Sequence, residues 1–189
     1  MNVFWPKFGT SHDNSRQCVE EWARVLAPIR LRGGFFGDFL LYWGHRIQHD
    51  SSYLYEVSHS FHHTLETPTP LGTGYVKMLD GMLQHALPVA ILMITVRPHP
   101  LTLYLYIVAR ISESVWNHSG IDHKIVDLVT FKFLPLRAPI AHHDAHHKYS
   151  SYSNNAKNFG ECFWIWDYAF GTYSAYRNVK VTAAKKRHE

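Results

Sequence analysis

The sequence predicts an all-α, membrane-associated helical domain in which histidine clusters at helix ends form a di-metal site. Three observations support this fold class. Charged residues make up only 18% of the 189 residues, below the roughly 25% that is usual for soluble domains. Aromatic residues make up 15%, and apolar segments alternate with polar ones. Histidine contributes 15 residues, many of them three or four positions apart, which is the spacing of side chains on one helix face.

The chain divides into three parts by composition. A polar and amphipathic lead-in covers residues 1–34, the helical domain covers 35–176, and a charged tail covers 177–189. Proline, threonine and glycine predict a loop over 66–74. The RPHP sequence predicts a turn over 97–100, because proline disfavours helix before and within it. Helices are predicted over residues 20–31, 35–50, 53–64, 82–97 and 101–118.

The two apolar segments 82–97 and 101–118 allow two interpretations. Each is shorter than the roughly 20 residues that cross a bilayer, so they form either a tilted or shallow membrane hairpin or two core helices. We favour the hairpin, although Arg110 and Glu113 inside the second segment keep the core interpretation open. Residues 125–136, IVDLVTFKFLPL, are typical of an amphipathic stretch at a membrane interface.

Charge and cysteine content restrict the function classes. The formal net charge is +4, a modest excess that suits an anionic membrane surface or an acidic electron-donor protein. Nucleic acid is not predicted as a partner, because the sequence lacks the stacking and zinc-finger patterns that it would need. Cys18 and Cys162 form no CxxC motif and no disulfide framework, so we interpret them as buried, reduced thiols.

Eleven of the fifteen histidines fall in four clusters. Two clusters contain the spacing HxxHH, one has the spacing HxxxH, and one is looser. We interpret the isolated histidines as surface or core residues; they are His12, His85, His99 and His188. The clusters are His45 with His49; His59 with His62 and His63; His118 with His123; and His142 and His143 with His146 and His147.

The spacing within these clusters predicts metal ligation. On a helix, HxxxH directs two imidazoles the same way and HxxHH gathers three, and the HExxH motif of zinc proteases uses this geometry for one metal. Two HxxHH clusters and one HxxxH supply eight aligned histidines. Because one metal commonly accepts about four to six ligands, this number indicates two metals. Imidazole suits zinc, copper, iron and nickel, so the ligand type alone does not identify the metal.

These motifs resemble those of the fatty acid hydroxylase/sterol desaturase family from about Phe35 to Thr172. The boxes HRIQH and HSFHH stand a short helix apart, NHSGID is similar to the third histidine position, and HDAHH is similar to the last box. The sequence NFGECFWIWDYAFGT is close to the family's C-terminal signature. Within it, Asn158, Trp166 and Asp167 match the family, and we interpret them as structural, with Asp167 orienting a histidine N–H.

The resemblance implies a cytosol-facing centre of two iron ions, with O2 as co-substrate and with zinc replacing iron in an isolated or inactive form. It also implies that a separate electron-donor protein, cytochrome b5-like or ferredoxin-like with a reductase, supplies electrons. His123 is included although its spacing from His118 differs by one from HxxxH, and His142 and Glu113 are assigned to positions around the ligands. The implied metal ligands are His45, His49, His59, His62, His63, His118, His123, His143, His146 and His147.

The function that the resemblance implies is hydroxylation or desaturation of an unactivated C–H bond in a sterol or long-chain lipid. The choice between the two reactions stays open. The alternative is a non-catalytic, metal-binding membrane protein of the same fold. The expected location is a membrane, integral or interfacial: the endoplasmic reticulum in a eukaryote or the inner membrane in a bacterium. A dilysine-like tail, Lys185-Lys186, is consistent with the former.

Overall fold

The computed structural model describes residues 34–65, 69–150 and 156–175, which form helices joined by turns. Within these ranges no strand forms, and Arg137 and Phe163 make an isolated antiparallel bridge. The predicted all-α fold is therefore confirmed. The predicted helix at 20–31, Cys18 and the dilysine-like tail lie outside the described residues. The helices are α1 (Phe35–Asp50), α2 (Met78–Thr95), α3 (Pro100–Asn117), α4 (Lys124–Val129), α5 (Ile140–Tyr149) and α6 (Ile165–Ala169).

Helix α1 has the bounds that the sequence predicts. Its buried residues recur every three or four positions, from Asp38 through His45 to His49, so one face carries both histidines of the HxxxH cluster. Ser51 follows α1, and its side chain accepts a hydrogen bond from Leu54 N at 3.3 Å. This contact caps the next helical turn and fixes the direction in which the second histidine cluster leaves α1.

The second histidine cluster lies on an irregular helical segment, whereas a single helix is predicted over 53–64. After an α-helical turn at Ser52–Leu54, the chain forms a π-helical turn at Tyr55–His59 and a 3-10 turn at His62–Thr64. π-helical turns are rare and concentrate at functional sites. The change of helical pitch alters the directions of the three histidines relative to a regular α-helix. A further 3-10 turn, Pro70–Gly74, lies within the predicted loop.

Helices α2 and α3 occupy the two predicted apolar segments. α2 begins at Met78 instead of residue 82, and its middle is a π-helical turn at Met82–Ala86. α3 begins at Pro100, which is favourable at the first position of a helix. His99 caps it by accepting a hydrogen bond from Leu101 N at 3.2 Å. The predicted turn between the two helices is therefore present.

Most of the surface of α2 is exposed and apolar. Among the described residues, α2 is the one helix whose length and composition would allow it to cross a membrane. Buried core helices of soluble proteins can pass the same test, but little of α2 is buried. Its exposed side chains include Met93 and Ile94, and those of α3 include Tyr104, Leu105 and Ile111. Both helices thus present apolar surface outward.

The stretch predicted to be amphipathic, 125–136, is helical only in α4. The His123 side chain caps this helix by accepting a hydrogen bond from Ile125 N at 3.2 Å. The chain then runs through turns in which Phe131 and Leu136 adopt positive φ angles of 57° and 70°. Several large apolar side chains of this stretch are exposed: Ile125, Leu128, Val129, Phe131, Phe133, Leu134 and Leu136.

Asp167, on α6, holds the C-terminal segment against α5. Its carboxylate accepts hydrogen bonds from Phe159 N and Gly160 N at 2.8 Å each, and from Thr172 Oγ1 at 2.8 Å. The same carboxylate lies 3.0 Å from His142 Nε2 on α5. Because these groups are buried, the hydrogen bonds satisfy a carboxylate that would otherwise be costly to bury.

Candidate metal centre

Nine buried histidines converge on two adjacent positions in the interior. Within each group the ring nitrogens that could bind a metal lie within 4.8 Å of one another. We call the two sets the five-histidine group and the four-histidine group. The five-histidine group contains His45, His49, His59, His63 and His146, and the four-histidine group contains His62, His118, His143 and His147.

The five-histidine group is centred on His63. The Nε2 atom of His63 lies 3.1 Å from those of His49 and His59, and 3.2 Å from that of His146. The fifth member, His45, stacks edge-to-face on His146 with ring centroids 4.4 Å apart. Its Nε2 atom is buried and has no hydrogen-bond partner among the described residues.

The four-histidine group is arranged around His118, at the C-terminal end of α3. The Nε2 atom of His118 lies 3.2 Å from that of His62 and 3.1 Å from that of His143. His147 Nε2 lies 3.2 Å from His143 Nε2. The two groups touch, because the rings of His63 and His147 stack with centroids 4.8 Å apart.

The two HxxHH boxes divide between the groups in opposite ways. In the second box, His59 and His63 belong to the five-histidine group and His62 belongs to the other. In the last box, His143 and His147 belong to the four-histidine group and His146 crosses to the other. In each box, the first and last histidines belong to one histidine group, and the middle histidine belongs to the other. The prediction that each box gathers three imidazoles on one face is therefore corrected: each box serves both positions.

Hydrogen bonds on the outer ring nitrogens orient five of the nine imidazoles. In each of these rings, Nδ1 lies within hydrogen-bond distance of an oxygen that can only accept, so the proton is on Nδ1 and the Nε2 lone pair points inward. The contacts are His45 with Phe159 O at 3.1 Å, His59 with Asp80 Oδ2 at 2.9 Å, His62 with Tyr75 O at 3.3 Å, His118 with Ser114 O at 2.8 Å, and His146 with Lys157 O at 2.7 Å.

This arrangement fits bound metal ions better than hydrogen bonding between the rings. His62 and His118 both donate from Nδ1, so their Nε2 atoms present two lone pairs to each other at 3.2 Å with no proton between them. A cation shared by both lone pairs removes this repulsion. Ligands about 2.1 Å from one metal and at right angles to each other are about 3 Å apart, which agrees with these spacings. The donor set of neutral imidazoles suits iron and zinc, among other metals.

Burial lowers the pKa of seven histidines of the centre, which are His45, His59, His62, His63, His143, His146 and His147. Desolvation, reinforced by the neighbouring imidazoles, lowers the pKa of His59, His146 and His147 well below 6.5. The same causes lower the pKa of His62 to about 3. Because only a neutral imidazole can donate its lone pair to a metal, the fold presents these side chains in the form that binds metal.

His123, the tenth predicted ligand, does not join either group. Its side chain is exposed and caps α4, so the candidate ligand set has nine members. His142 is also outside the groups and contacts Asp167. Asp167 thus orients a histidine, as expected, although not one of the nine. Glu113, predicted to lie around the ligands, forms ion pairs with Lys132 and Arg137.

Asp80 and its two glutamine partners are part of the site and are missing from the sequence prediction. Asp80 Oδ2 lies 2.9 Å from His59 Nδ1, and its Oδ1 accepts hydrogen bonds from Gln48 Nε2 at 3.0 Å and Gln84 Nε2 at 2.8 Å. The available signal was the polar pair Asp80 and Gln84, four residues apart in an apolar segment. Polar residues inside such segments are rare and usually functional.

Comparison with known proteins agrees with this geometry. The family model described as fatty acid hydroxylase matches residues 31–172. The chain belongs to the fatty acid hydroxylase family. The resemblance stated from the histidine boxes is therefore confirmed, and the residues that form both histidine groups lie inside the matched range. No solved structure matches the chain.

Three relatives illustrate the family. Methylsterol monooxygenase 2-2 of Arabidopsis thaliana is 34% identical over 180 residues, which cover 95% of this chain and 65% of that protein. Very-long-chain aldehyde decarbonylase GL1-8 of Oryza sativa subsp. indica is 35% identical over 171 residues, 89% of this chain and 60% of that protein. C-4 methylsterol oxidase erg25 of Schizosaccharomyces pombe is 30% identical over 159 residues, 82% of this chain and 50% of that protein. The chain thus spans less than two thirds of the length of these relatives.

Proposed function

We propose that this chain is an O2-dependent di-iron lipid oxidase that hydroxylates or desaturates an unactivated C–H bond of a sterol or long-chain lipid. The observation that carries the proposal is the convergence of nine buried histidines on two adjacent positions. The relatives named methylsterol monooxygenase and C-4 methylsterol oxidase support an oxidation of a sterol or related lipid.

The nine histidines are the proposed ligands of two iron ions. Once bound, the irons supply the activation of O2 and the oxidation of the C–H bond, and zinc in their place gives an inactive form. The chain itself contributes neutral ligands, fixes their tautomers through the Nδ1 hydrogen bonds, and keeps water away by burying the rings. Such preorganisation is the usual contribution of a protein to a metal-dependent reaction.

We further propose that the chain works in a membrane, with α2 inserted and the apolar face of α3 covered by lipid. The exposed apolar side chains of both helices support this location. The proposed membrane is the endoplasmic reticulum in a eukaryote or the inner membrane in a bacterium. A separate cytochrome b5-like or ferredoxin-like protein with its reductase is the proposed electron donor, and the net charge of +4 favours an acidic partner.

Metal analysis of the chain purified from membranes tests the site. His146→Ala removes a member of the five-histidine group and His62→Ala a member of the four-histidine group, while His123→Ala removes an exposed histidine outside both. Each of the first two changes should lower bound iron, and His123→Ala should leave it unchanged. Unchanged iron in both His146→Ala and His62→Ala would disprove the ligand assignment.

Lipid profiling of cells that express the chain tests the reaction. Expression of the wild-type chain with an electron donor should change the sterols or long-chain lipids of the host, and His146→Ala should abolish the change. Loaded iron with unaltered lipids and no O2 consumption would instead support a non-catalytic, metal-binding protein of this fold.

A further inference from the structure

Asp80 is a buried carboxylate in contact with one ligand of the metal centre. It lies in the first turn of α2 and is 1% exposed. One carboxylate oxygen faces His59 Nδ1 at 2.9 Å, and the other accepts hydrogen bonds from the amides of Gln48 and Gln84. Gln48 is itself on α1, between the two histidines of the first box, and its amide also donates to Ser58 Oγ at 2.9 Å. Asp80 is therefore fixed by three elements at once.

His59 differs from the other oriented ligands in the charge of its partner. His45, His62, His118 and His146 each donate Nδ1–H to a neutral backbone carbonyl oxygen. Of these five oriented ligands, His59 is the one that faces a carboxylate. A carboxylate makes the imidazole a stronger donor to a metal and fixes its orientation more firmly than a carbonyl does. This carboxylate contact belongs to a member of the five-histidine group.

Among the described residues, Asp80 has no lysine or arginine partner, whereas two glutamates in the same part of the fold do. Glu113 pairs with Lys132 at 3.2 Å, and Glu161 pairs with Arg110 at 3.2 Å. Within the described residues, the partners of Asp80 are His59 and the two glutamines. Burying an ionised carboxylate without a cation is costly. A metal ion ligated by His59 would supply positive charge to this part of the interior, so metal binding and the burial of Asp80 stabilise each other.

The close approach of α1 and α2 brings Asp80 and Gln84 of α2 to Gln48 of α1. A Cβ added at Gly44 would lie 2.7 Å from Leu83 O, so the absence of a side chain at Gly44 lets α2 pack directly on α1. This packing brings Gln84 within 2.8 Å of Gln48 Oε1. α2 provides none of the nine histidines, yet through Asp80 it contacts the metal centre.

We propose that Asp80 is a positioning residue that makes the five-histidine group the tighter of the two metal positions. The proposal rests on the metal binding in the proposed function, but it requires neither lipid oxidation nor a particular metal. It predicts that the two positions release metal at different chelator concentrations. Replacement of Asp80 should weaken the tighter position while leaving the other unchanged.

The test uses the full chain in detergent, loaded with two equivalents of Zn²⁺ and titrated with a chelator. The wild-type chain should release Zn²⁺ in two phases. Asp80→Asn should weaken the tighter phase about 10- to 100-fold, the range found when such supporting residues are changed. Asp38→Asn is the matched control, because Asp38 is a buried carboxylate that accepts from Cys162 N and Phe163 N and contacts no histidine. This control should leave the ratio of the two phases unchanged.

Two further measurements separate positioning from general stability. In a His59→Ala background, Asp80→Asn should have no additional effect on Zn²⁺ release, because the ligand through which Asp80 acts is gone. In the Co²⁺-loaded chain, Asp80→Asn should change the visible absorption bands of one of the two ions, whereas Asp38→Asn should not. Asp80→Glu should restore part of the lost affinity. If Asp80→Asn yields no folded chain, Gln84→Met removes one donor to the same carboxylate and should produce a smaller loss in the same phase.

Three outcomes would overturn the inference: an equal loss in both phases, an effect that persists in the His59→Ala background, or no change in either phase. These outcomes leave the proposed oxidase function standing, because they concern only the inequality of the two positions. A chain that releases Zn²⁺ in the two predicted phases, but changes no lipid when it is loaded with iron and supplied with an electron donor, would have the opposite meaning. It would contradict the oxidase function and retain the role of Asp80.

Discussion

The interior of this molecule and the outer faces of α2 and α3 reverse the usual arrangement of a soluble domain. The interior contains nine histidines that are each at most 9% exposed. The outer faces carry large apolar side chains, of which Ile94 is 72% and Tyr104 is 63% exposed. Soluble proteins usually bury large apolar side chains and expose histidines more often. Both departures are explained if metal ions complete the interior and lipid covers the exterior.

The two regions depend on different forces, although they are joined at one contact. The interior depends on directional interactions, namely inward lone pairs and outer Nδ1 hydrogen bonds, and on histidines that stay neutral. The exterior depends on apolar area alone, which is not directional. They meet where Gly44 of α1 packs on Leu83 of α2. Changes inside should therefore alter metal binding and stability, and changes outside should alter membrane association.

Metal removal should have the largest effect, because it leaves the lone pairs of the interior unshared. A single bound ligand at about 1,000 times its Kd stabilises a folded protein by about 4 kcal/mol. We expect the free energy of unfolding to be higher for the metal-loaded chain than for the metal-free chain, by at least about 4 kcal/mol. Denaturant unfolding in detergent, with and without chelator, measures the difference. The same stability in both samples would mean that the interior is complete without metal.

Acid should have the next largest effect, and its sign follows from the pKa values. An unfolded histidine has a pKa of about 6.5, whereas burial and neighbouring imidazoles lower the pKa of His146 well below this value and that of His62 to about 3. Between these values the unfolded state binds more protons, so stability is fully present above about pH 6.5 and is lost as the pH falls through the window. Each such histidine contributes a slope of about 1.4 kcal/mol per pH unit.

Denaturant unfolding of the metal-free chain at about pH 8, 7, 6 and 5 checks this expectation. The free energy of unfolding should change little between the first two values and decline steeply between the last two. The His123→Ala variant should decline in parallel with the wild-type chain, since His123 is exposed. Constant stability down to about pH 5 would be inconsistent with neutral, buried histidines.

Substitution at the contact between the two regions should have a smaller effect. Gly44→Ala places a Cβ 2.7 Å from Leu83 O, a backbone atom that cannot move without shifting α2. Overpacking of this kind costs about 1–3 kcal/mol. Gly81→Ala is the control, because its Cβ would lie 3.9 Å from Val76 Cγ2 and a helical alanine is favoured over glycine by up to about 1 kcal/mol.

Thermal unfolding of the Gly44→Ala and Gly81→Ala variants distinguishes the two expectations. Gly44→Ala should lower the unfolding temperature, and Gly81→Ala should keep or raise it. Because a shift of α2 would also displace Asp80, which lies on α2, Gly44→Ala should release Zn²⁺ more readily as well. An equal response of the two variants would show that α1 and α2 are not packed closely at Gly44.

The sequence predicted the elements that depend on local spacing. The sequence between Phe35 and Asp50 starts apolar and ends in the histidines of HxxxH, which predicts a helix, and the observed α1 has the same bounds. The histidine boxes follow from i, i+3 and i+4 spacing in the same way. His123 could not be distinguished from a ligand, because a capping histidine and a ligating histidine look alike in sequence. Its role is decided by the hydrogen bond to Ile125 N.

Features that depend on tertiary packing could not be predicted. The π-helical turn at Tyr55–His59 changes the directions of the second-box histidines, and no spacing rule anticipates it. The contact of Asp80 with His59 joins residues 21 positions apart, and it requires the first turn of α2 to pack against the segment Tyr55–His59. The division of each HxxHH box between two metal positions likewise requires all four histidine clusters to be in place.

Substitution on the outer face of α2 should have the smallest effect on stability, and a residue two positions away provides the contrast. Ile94 is 72% exposed and Leu92 is 3% exposed on the same helix. Ile94→Ser should therefore change the free energy of unfolding in detergent by no more than about 0.5 kcal/mol, as surface substitutions usually do. Leu92→Ser should cost at least about 2 kcal/mol, as large-to-small changes in a core do.

In a membrane, the order of these two variants should reverse, and this reversal tests most sharply whether lipid covers the outer face of α2. If lipid covers the outer face of α2, removal of the Ile94 side chain loses part of the roughly 1.5–3 kcal/mol that burial of an isoleucine provides. Ile94→Ser should then lower partitioning of the chain into phospholipid vesicles by about tenfold, a change of about 1.4 kcal/mol. Leu92→Ser, whose side chain faces the protein, should partition as the wild-type chain does at temperatures where it is folded. Equal partitioning of Ile94→Ser and the wild-type chain would mean that something other than lipid covers this face.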